Sequence, residues 1–176
     1  MKRILLVIDY QNDFVSGSLG FEGAEKLESK IAEKIKEYRS SNDDIAFTFD
    51  THYENYLQTQ EGKNLPISHC IKDTFGWRLY GSINDLISDN DKCFEKITFG
   101  SLELANYLKD KNYDIIELVG LVSNICVVSN AILAKAALPE ARIIVDAACT
   151  ASFDNEMNNK ALDILSGGLQ IEVINR

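Results

Sequence analysis

Four cysteines, two histidines and a few charged residues at the ends of apolar runs are where this chain could do covalent or metal chemistry. Among Cys70, Cys93, Cys126 and Cys149, Cys126 is distinguished by position, following the apolar run 114–119 where a helical pattern begins. A thiol attacks as its thiolate, and a helix N-terminus and a neighbouring ammonium both favour that form, so Cys126 reads as a nucleophile with a lowered pKa. Asp9 closes the first apolar run and suits a general base that also carries a proton to a leaving group, while Lys96 closes another and supplies the ammonium. Plainer explanations exist for each. A free cysteine is often simply a buried apolar residue, and a strand-end carboxylate or ammonium is often a solvated charge or a helix cap.

A second group centres on Asp50 and His52. Two residues apart in an extended backbone, they share a face, and His69 can return from the following loop to join them. A carboxylate with imidazoles suits Zn²⁺, Fe²⁺ or Mn²⁺. A D-x-H pair is common by chance, so spacing alone leaves the metal open.

The elements that must position these residues follow from the hydrophobic pattern. Apolar runs of strand length occur at 3–8, 44–49, 93–97, 114–119, 142–146 and 170–174, most of them rich in β-branched residues. Helical stripes lie between them. Leu27, Ile31, Ile35 and Tyr38 share a face of 23–39, and Leu102, Ala105 and Leu108 share one of 101–109, with Ser101 as its N-cap. Residues 124–137 are apolar nearly all round, which predicts a deeply buried helix or a subunit contact. A last helix near 154–166 turns Ala161, Leu162 and Leu165 inward and stops at Gly167-Gly168.

Strands alternating with helices predict a single doubly wound α/β domain over residues 1–176, with a mostly parallel six-stranded sheet covered on both faces. In such sheets ligands bind at the carboxyl ends of the strands. Asp9, Asp50 and Lys96 end the first three strands and Cys126 follows the fourth, so four strands deliver reactive groups to one edge. The long connection 51–92, with one short helix expected near 83–88, carries both histidines and Trp77. A connection of that length in a small domain is usually functional.

Composition narrows the partners. A formal charge of −9 and the lack of any Lys/Arg run oppose nucleic acid and anionic membranes, leaving small molecules. The apolar start meets Asp9 too early for a signal peptide, no segment is long enough to span a membrane, and the cysteines are too sparse for a disulfide scaffold, which together predict a cytoplasmic protein with free thiols.

With these residues in view, the chain resembles the nicotinamidase/pyrazinamidase branch of the isochorismatase-like cysteine hydrolases over nearly its whole length. DYQNDF at 9–14 is similar to that family's DxQNDF signature, FEKITFGS at 94–101 to its lysine segment, and GLVSNICV at 120–127 to its GVxTDxCV nucleophile motif. FDTH at 49–52, SHC at 68–70 and DTFG at 73–76 resemble its metal-loop elements. The resemblance implies a catalytic triad of Asp9, Lys96 and Cys126. It also implies a cis peptide between Leu121 and Val122, with the backbone N–H groups of Val122 and Cys126 forming an oxyanion hole. Asp50, His52 and His69 are the implied ligands of a divalent metal, Zn²⁺ first with Fe²⁺ or Mn²⁺ as alternatives. Glu61 lies where some members supply a carboxylate, and Phe14 is the implied stacking partner for a substrate ring.

The activity so implied is hydrolysis of nicotinamide to nicotinate and ammonia, as part of NAD salvage, by a homo-oligomer. Several positions depart from the pattern. LPISHC replaces WPxHC, so no aromatic precedes Pro66, and Asp73, Asn124 and Ile125 stand where Gly, Asp and Tyr are usual. These departures bear on the substrate pocket more than on the nucleophile. The rival readings are an amidase on ureido or other small amides, a metallohydrolase with Cys126 merely buried, and a non-catalytic relative that binds ligands or senses oxidants through Cys126.

Overall fold

Ile4 through Ile8 expose no surface, as a strand must that is paired on both edges and covered on both faces. In the computed structural model, which describes residues 1–176, this run is β1 (Arg3–Ile8). It is joined by β2 (Asp44–Asp50), β3 (Lys92–Lys96), β4 (Ile115–Leu121), β5 (Arg142–Ala151) and β6 (Glu172–Ile174). The six form one sheet in the order β3-β2-β1-β4-β5-β6, and every neighbouring pair is parallel. The expected doubly wound α/β arrangement is present, and wholly parallel. Strand order reverses between β1 and β4, and a crevice opens at the carboxyl ends of strands on either side of such a switch point.

The helices are α1 (Asn12–Val15), α2 (Glu28–Ser40), α3 (Gln60–Asn64), α4 (Gly81–Asp85), α5 (Leu102–Lys109), α6 (Val128–Ala137) and α7 (Asn155–Gly168). Side-chain alternation along β1 divides the core in two. Leu5 and Val7 pack with Ile31, Ile35 and Tyr38 of α2. Ile4, Leu6 and Ile8 pack on the other face with Leu104 and Leu108 of α5, Ala131 and Ala134 of α6, and Leu162 and Leu165 of α7. Each such Leu or Ile contributes roughly 1.5–3 kcal/mol by leaving water. Ser101 caps α5 as expected, its Oγ accepting from Leu104 N at 3.1 Å.

Several details differ from the sequence reading. The buried stripe of α5 is Leu104 and Leu108, one turn apart, whereas Leu102 lies about 200° round from Leu104 and is 71% exposed. Residues 123–127 form a π-helical turn before α6 begins, and Ile132 on α6 is 44% exposed, so that helix is not buried all round. The long connection holds two short helices, α3 and α4, with α4 at 81–85 rather than 83–88. β5 continues to Ala151, well past the expected end at 146, with a register shift against β4 between Leu118 and Gly120. The Gly167-Gly168 pair forms the last two residues of α7 instead of following it.

Two buried carboxylates tie α2 to the sheet. Lys34 Nζ lies 2.7 Å from Glu117 Oε1 and 3.1 Å from Asp146 Oδ2, and Tyr38 Oη donates to Glu117 Oε2 at 2.6 Å. At the carboxyl end of β4, Gly120 has φ +110°, and a Cβ there would strike the Ile8 carbonyl. Only glycine lets β4 approach β1 so closely just before the crevice.

Candidate active site

β1 ends where Asp9 takes a left-handed conformation, φ 42°, which Asp tolerates better than most residues. Its carboxylate is fully buried and accepts a 2.6 Å hydrogen bond from Thr48 Oγ1 of β2. Lys96, the last residue of β3, crosses beneath the end of β2, bringing Nζ to 2.7 Å from Asp9 Oδ2 and 3.1 Å from Asp50 Oδ1. The same ammonium donates to the Thr98 carbonyl at 2.9 Å and lies 3.6 Å from Cys126 Sγ. Cys126 sits in the π-helical turn after β4, with its carbonyl held by Asn130 Nδ2 at 2.8 Å and its thiol on the same ammonium as Asp9. Three residues from three strand ends thus share one buried centre. The Leu121–Val122 peptide is cis, as expected.

The charges hold one another in a definite order. Burial lowers the Lys96 pKa, but Asp9, Cys126 and Asp50 around it raise it well above the ordinary lysine value, so the ammonium is kept. For Asp9, burial raises the pKa more than Lys96 lowers it. The Cys126 thiol is pushed up by burial and by Asp9 and Asp50, which outweigh Lys96. This corrects the expectation of a thiol with a lowered pKa: burial and two carboxylates prevail over the ammonium.

Asp50 joins this centre to a second one. Its Oδ2 lies 3.1 Å from His52 Nε2 and 3.3 Å from His69 Nε2, while Glu61 Oε1 lies 3.6 Å from His52 Nε2 and 3.8 Å from His69 Nε2. Burial would raise the Asp50 pKa, but Lys96 and the two imidazoles hold it below the usual carboxylate range. The four donor atoms lie within 4.8 Å of one another. A tetrahedral ion with bonds of about 2.1 Å has ligand-to-ligand edges of about 3.4 Å, so two nitrogens and two carboxylate oxygens at these separations fit a divalent cation. His69 Nδ1 pairs with the Ile67 carbonyl at 2.8 Å, which leaves Nε2 facing the group. Glu61, the least secure member on sequence grounds, stands with the other three.

Both centres open into a cavity of about 520 Å³. Cys126, Asp50, Glu61 and His69 line its reactive end, and Phe14, Leu65, Phe99, Ile125 and Phe153 line its apolar walls. Sequence reasoning had found only Phe14 among these walls. Phe99 and Phe153 follow β3 and β5, so the strand-end rule that selected Lys96 could have marked them too. Leu65 occupies the place where an aromatic residue had been missed.

A wholly parallel α/β sheet with a thiol, a carboxylate and an ammonium gathered at its switch point has the architecture of an enzyme acting on a small molecule. An isochorismatase domain matches residues 3–174. The chain belongs to the isochorismatase family. It is similar to the isochorismatase family protein PncA of Bacillus subtilis strain 168, 29% identical over 98% of this chain and 99% of that protein. It is also similar to a nicotinamidase of Saccharomyces cerevisiae, 26% identical over 93% of this chain and 95% of that one. The crystal structure of the nicotinamidase/pyrazinamidase PncA from Bacillus subtilis superposes with a TM-score of 0.88 at 27% identity, covering 98% of this chain and 99% of that one.

Proposed function

We propose that this protein is a nicotinamidase, hydrolysing nicotinamide to nicotinate and ammonia through a thioester on Cys126. The observation that carries the reading is Lys96 Nζ at 2.7 Å from Asp9 and 3.6 Å from Cys126 Sγ, with Cys126 lining the same cavity as Asp50, Glu61 and His69. Similarity to nicotinamidases over nearly the whole chain supports the choice of substrate.

In the acylation step Asp9 takes the Cys126 proton as Sγ attacks the carboxamide carbon. Asp9 then hands that proton to the leaving nitrogen, the C–N bond breaks, and ammonia departs. In the second step Asp9 takes a proton from water, the hydroxide adds to the thioester carbonyl, the C–S bond breaks, and the proton returns to sulfur. Lys96 remains charged throughout and stabilises the Asp9 carboxylate and the transient thiolate. The backbone N–H groups of Val122 and Cys126 are assigned to the carbonyl oxygen as it becomes negative, where one such donor contributes on the order of 3 kcal/mol. Phe14 is assigned to the face of the substrate ring.

Asp50, His52, Glu61 and His69 would hold a divalent cation, Zn²⁺ by preference for this nitrogen and oxygen set. Such an ion supplies a Lewis-acidic position beside the cavity for a ring nitrogen. The metallohydrolase alternative is disfavoured because the Lys96 ammonium, paired with Asp9, lies 3.6 Å from Cys126 Sγ, where a merely structural thiol would have apolar neighbours. We assign the chain to a homo-oligomer, supported by Leu102 and Ile132 standing exposed on the packed helices α5 and α6. The test is ammonia release from nicotinamide and a panel of ureido and aliphatic amides, with and without added Zn²⁺. Preference for nicotinamide supports the assignment, and turnover of the ureido compounds alone overturns it.

A further inference from the structure

We propose that Gln11 and Asp13 are positioning residues that set the geometry of the metal-binding group, one holding Asp50 and the other His69. The proposal rests on reading Asp50, His52, Glu61 and His69 as that group. It goes further by explaining how ligands from β2 and from a long irregular connection are brought into register.

The ladder between β1 and β2 is parallel up to Ile8 opposite Thr48, and Asp9 N still donates to Thr48 O at 3.3 Å. β1 then ends, leaving Asp50 without a backbone partner on that side. The fully buried side-chain amide of Gln11 takes the place of the absent strand. Its Oε1 accepts from Asp50 N at 2.8 Å and its Nε2 donates to Asp50 O at 2.9 Å. Nε2 also donates to Trp77 O at 2.8 Å, tying the same amide to the far end of the long connection. With both backbone groups of Asp50 fixed, its carboxylate is aimed between Lys96 and the two imidazoles.

Asp13 acts at the other joint. Its Oδ2 accepts from Cys70 N at 2.7 Å, and Cys70, the residue after His69, has φ 46°, a left-handed conformation that a cysteine rarely adopts. Cys70 O in turn accepts from His52 N at 2.9 Å, so a displaced Cys70 backbone would disturb both imidazoles. Asp13 N donates to Gly76 O at 3.0 Å, and a Cβ on Gly76 would strike the Asp13 carboxylate. Gly76 therefore has to lack a side chain for Asp13 to reach Cys70. Groups that orient metal ligands in this way usually carry a 10–100-fold share of metal affinity.

The experiment is the Zn²⁺ dissociation constant of the full chain, measured by competition with a chromophoric chelator, together with the thermal midpoint of the metal-free protein. Asp13→Ala, Gln11→Met and Gly76→Ala are expected to bind Zn²⁺ roughly 10–100-fold more weakly than wild type. Asp13→Asn, which keeps an oxygen acceptor for Cys70 N, is expected to recover most of the loss, and it gives a result even if the alanine variant folds poorly. Wild-type Zn²⁺ affinity in folded variants, with only the metal-free midpoint lowered, would show that the two side chains serve stability alone and overturn the proposal. A wild-type chain that binds no Zn²⁺ would overturn the reading of the metal group itself, and the positioning proposal with it.

Discussion

In the proposed mechanism Asp9 holds a proton twice in each turnover. Burial and the neighbouring Asp50 lift its pKa while Lys96 and Thr48 pull it back, and the net shift is upward, toward a better proton acceptor. Asp9→Asn, close in shape but unable to take the thiol proton, should lower kcat by roughly 10²–10⁴ with KM little changed. Steady-state ammonia release checks this, and a kcat within tenfold of wild type would remove Asp9 from the proton path. Lys96→Met should lose activity and also fold less well. It leaves Asp9 and Asp50 buried without their shared cation, a cost of about 3–5 kcal/mol readable in urea unfolding. That Asp9, Lys96 and Cys126 gather at one sheet edge was legible in the sequence because each ends or follows an apolar run. The upward shift of the Cys126 thiol was not, since it depends on burial and on two carboxylates whose distances no spacing rule gives.

At the scale of the elements, the reactive edge depends on how tightly β4 approaches β1. Gly120→Ala places a methyl group against the Ile8 carbonyl in a backbone conformation that disfavours L side chains. We expect a loss of about 3 kcal/mol or more, together with reduced activity from a shifted Cys126 turn. Chemical denaturation measures the first, and unchanged stability would mean the strands can part without consequence. Lys34→Met should cost about 3 kcal/mol by leaving Glu117 and Asp146 buried without a cation, with kcat unaffected because the pair lies in the α2 layer. The central strands β1 and β4 were readable from unbroken apolar runs, since both of their faces are buried, whereas the edge strand β3 alternates between exposed and buried residues. The short helices α3 and α4 were harder to see. Four or five residues give too little periodicity to separate a helix from a turn, and these two are fixed by caps and contacts such as Thr59 Oγ1 accepting from Gly62 N at 3.0 Å. Leu65 was hidden for a related reason, since it joins the cavity wall only once the long connection folds back over the sheet, whereas Phe99 and Phe153 stand just past the ends of β3 and β5.

For the whole molecule, β2 and the long connection converge on the proposed metal group, so metal binding should report on the integrity of the entire crevice. Because the group is assembled only when the chain is folded, Zn²⁺ at about a hundred times its dissociation constant should raise the thermal midpoint by roughly 5–10 °C, read by differential scanning fluorimetry. An unchanged midpoint would mean that the four ligands do not act together. The account as a whole turns on Cys126 as the attacking atom, and the most direct measurement is the rate of ammonia release from nicotinamide by Cys126→Ala with Zn²⁺ present. The thiol is small and buried among groups that remain hydrogen-bonded to one another, so this variant should keep a thermal midpoint close to wild type while its rate falls to the uncatalysed background. A folded Cys126→Ala protein that releases ammonia within tenfold of the wild-type rate would contradict the account.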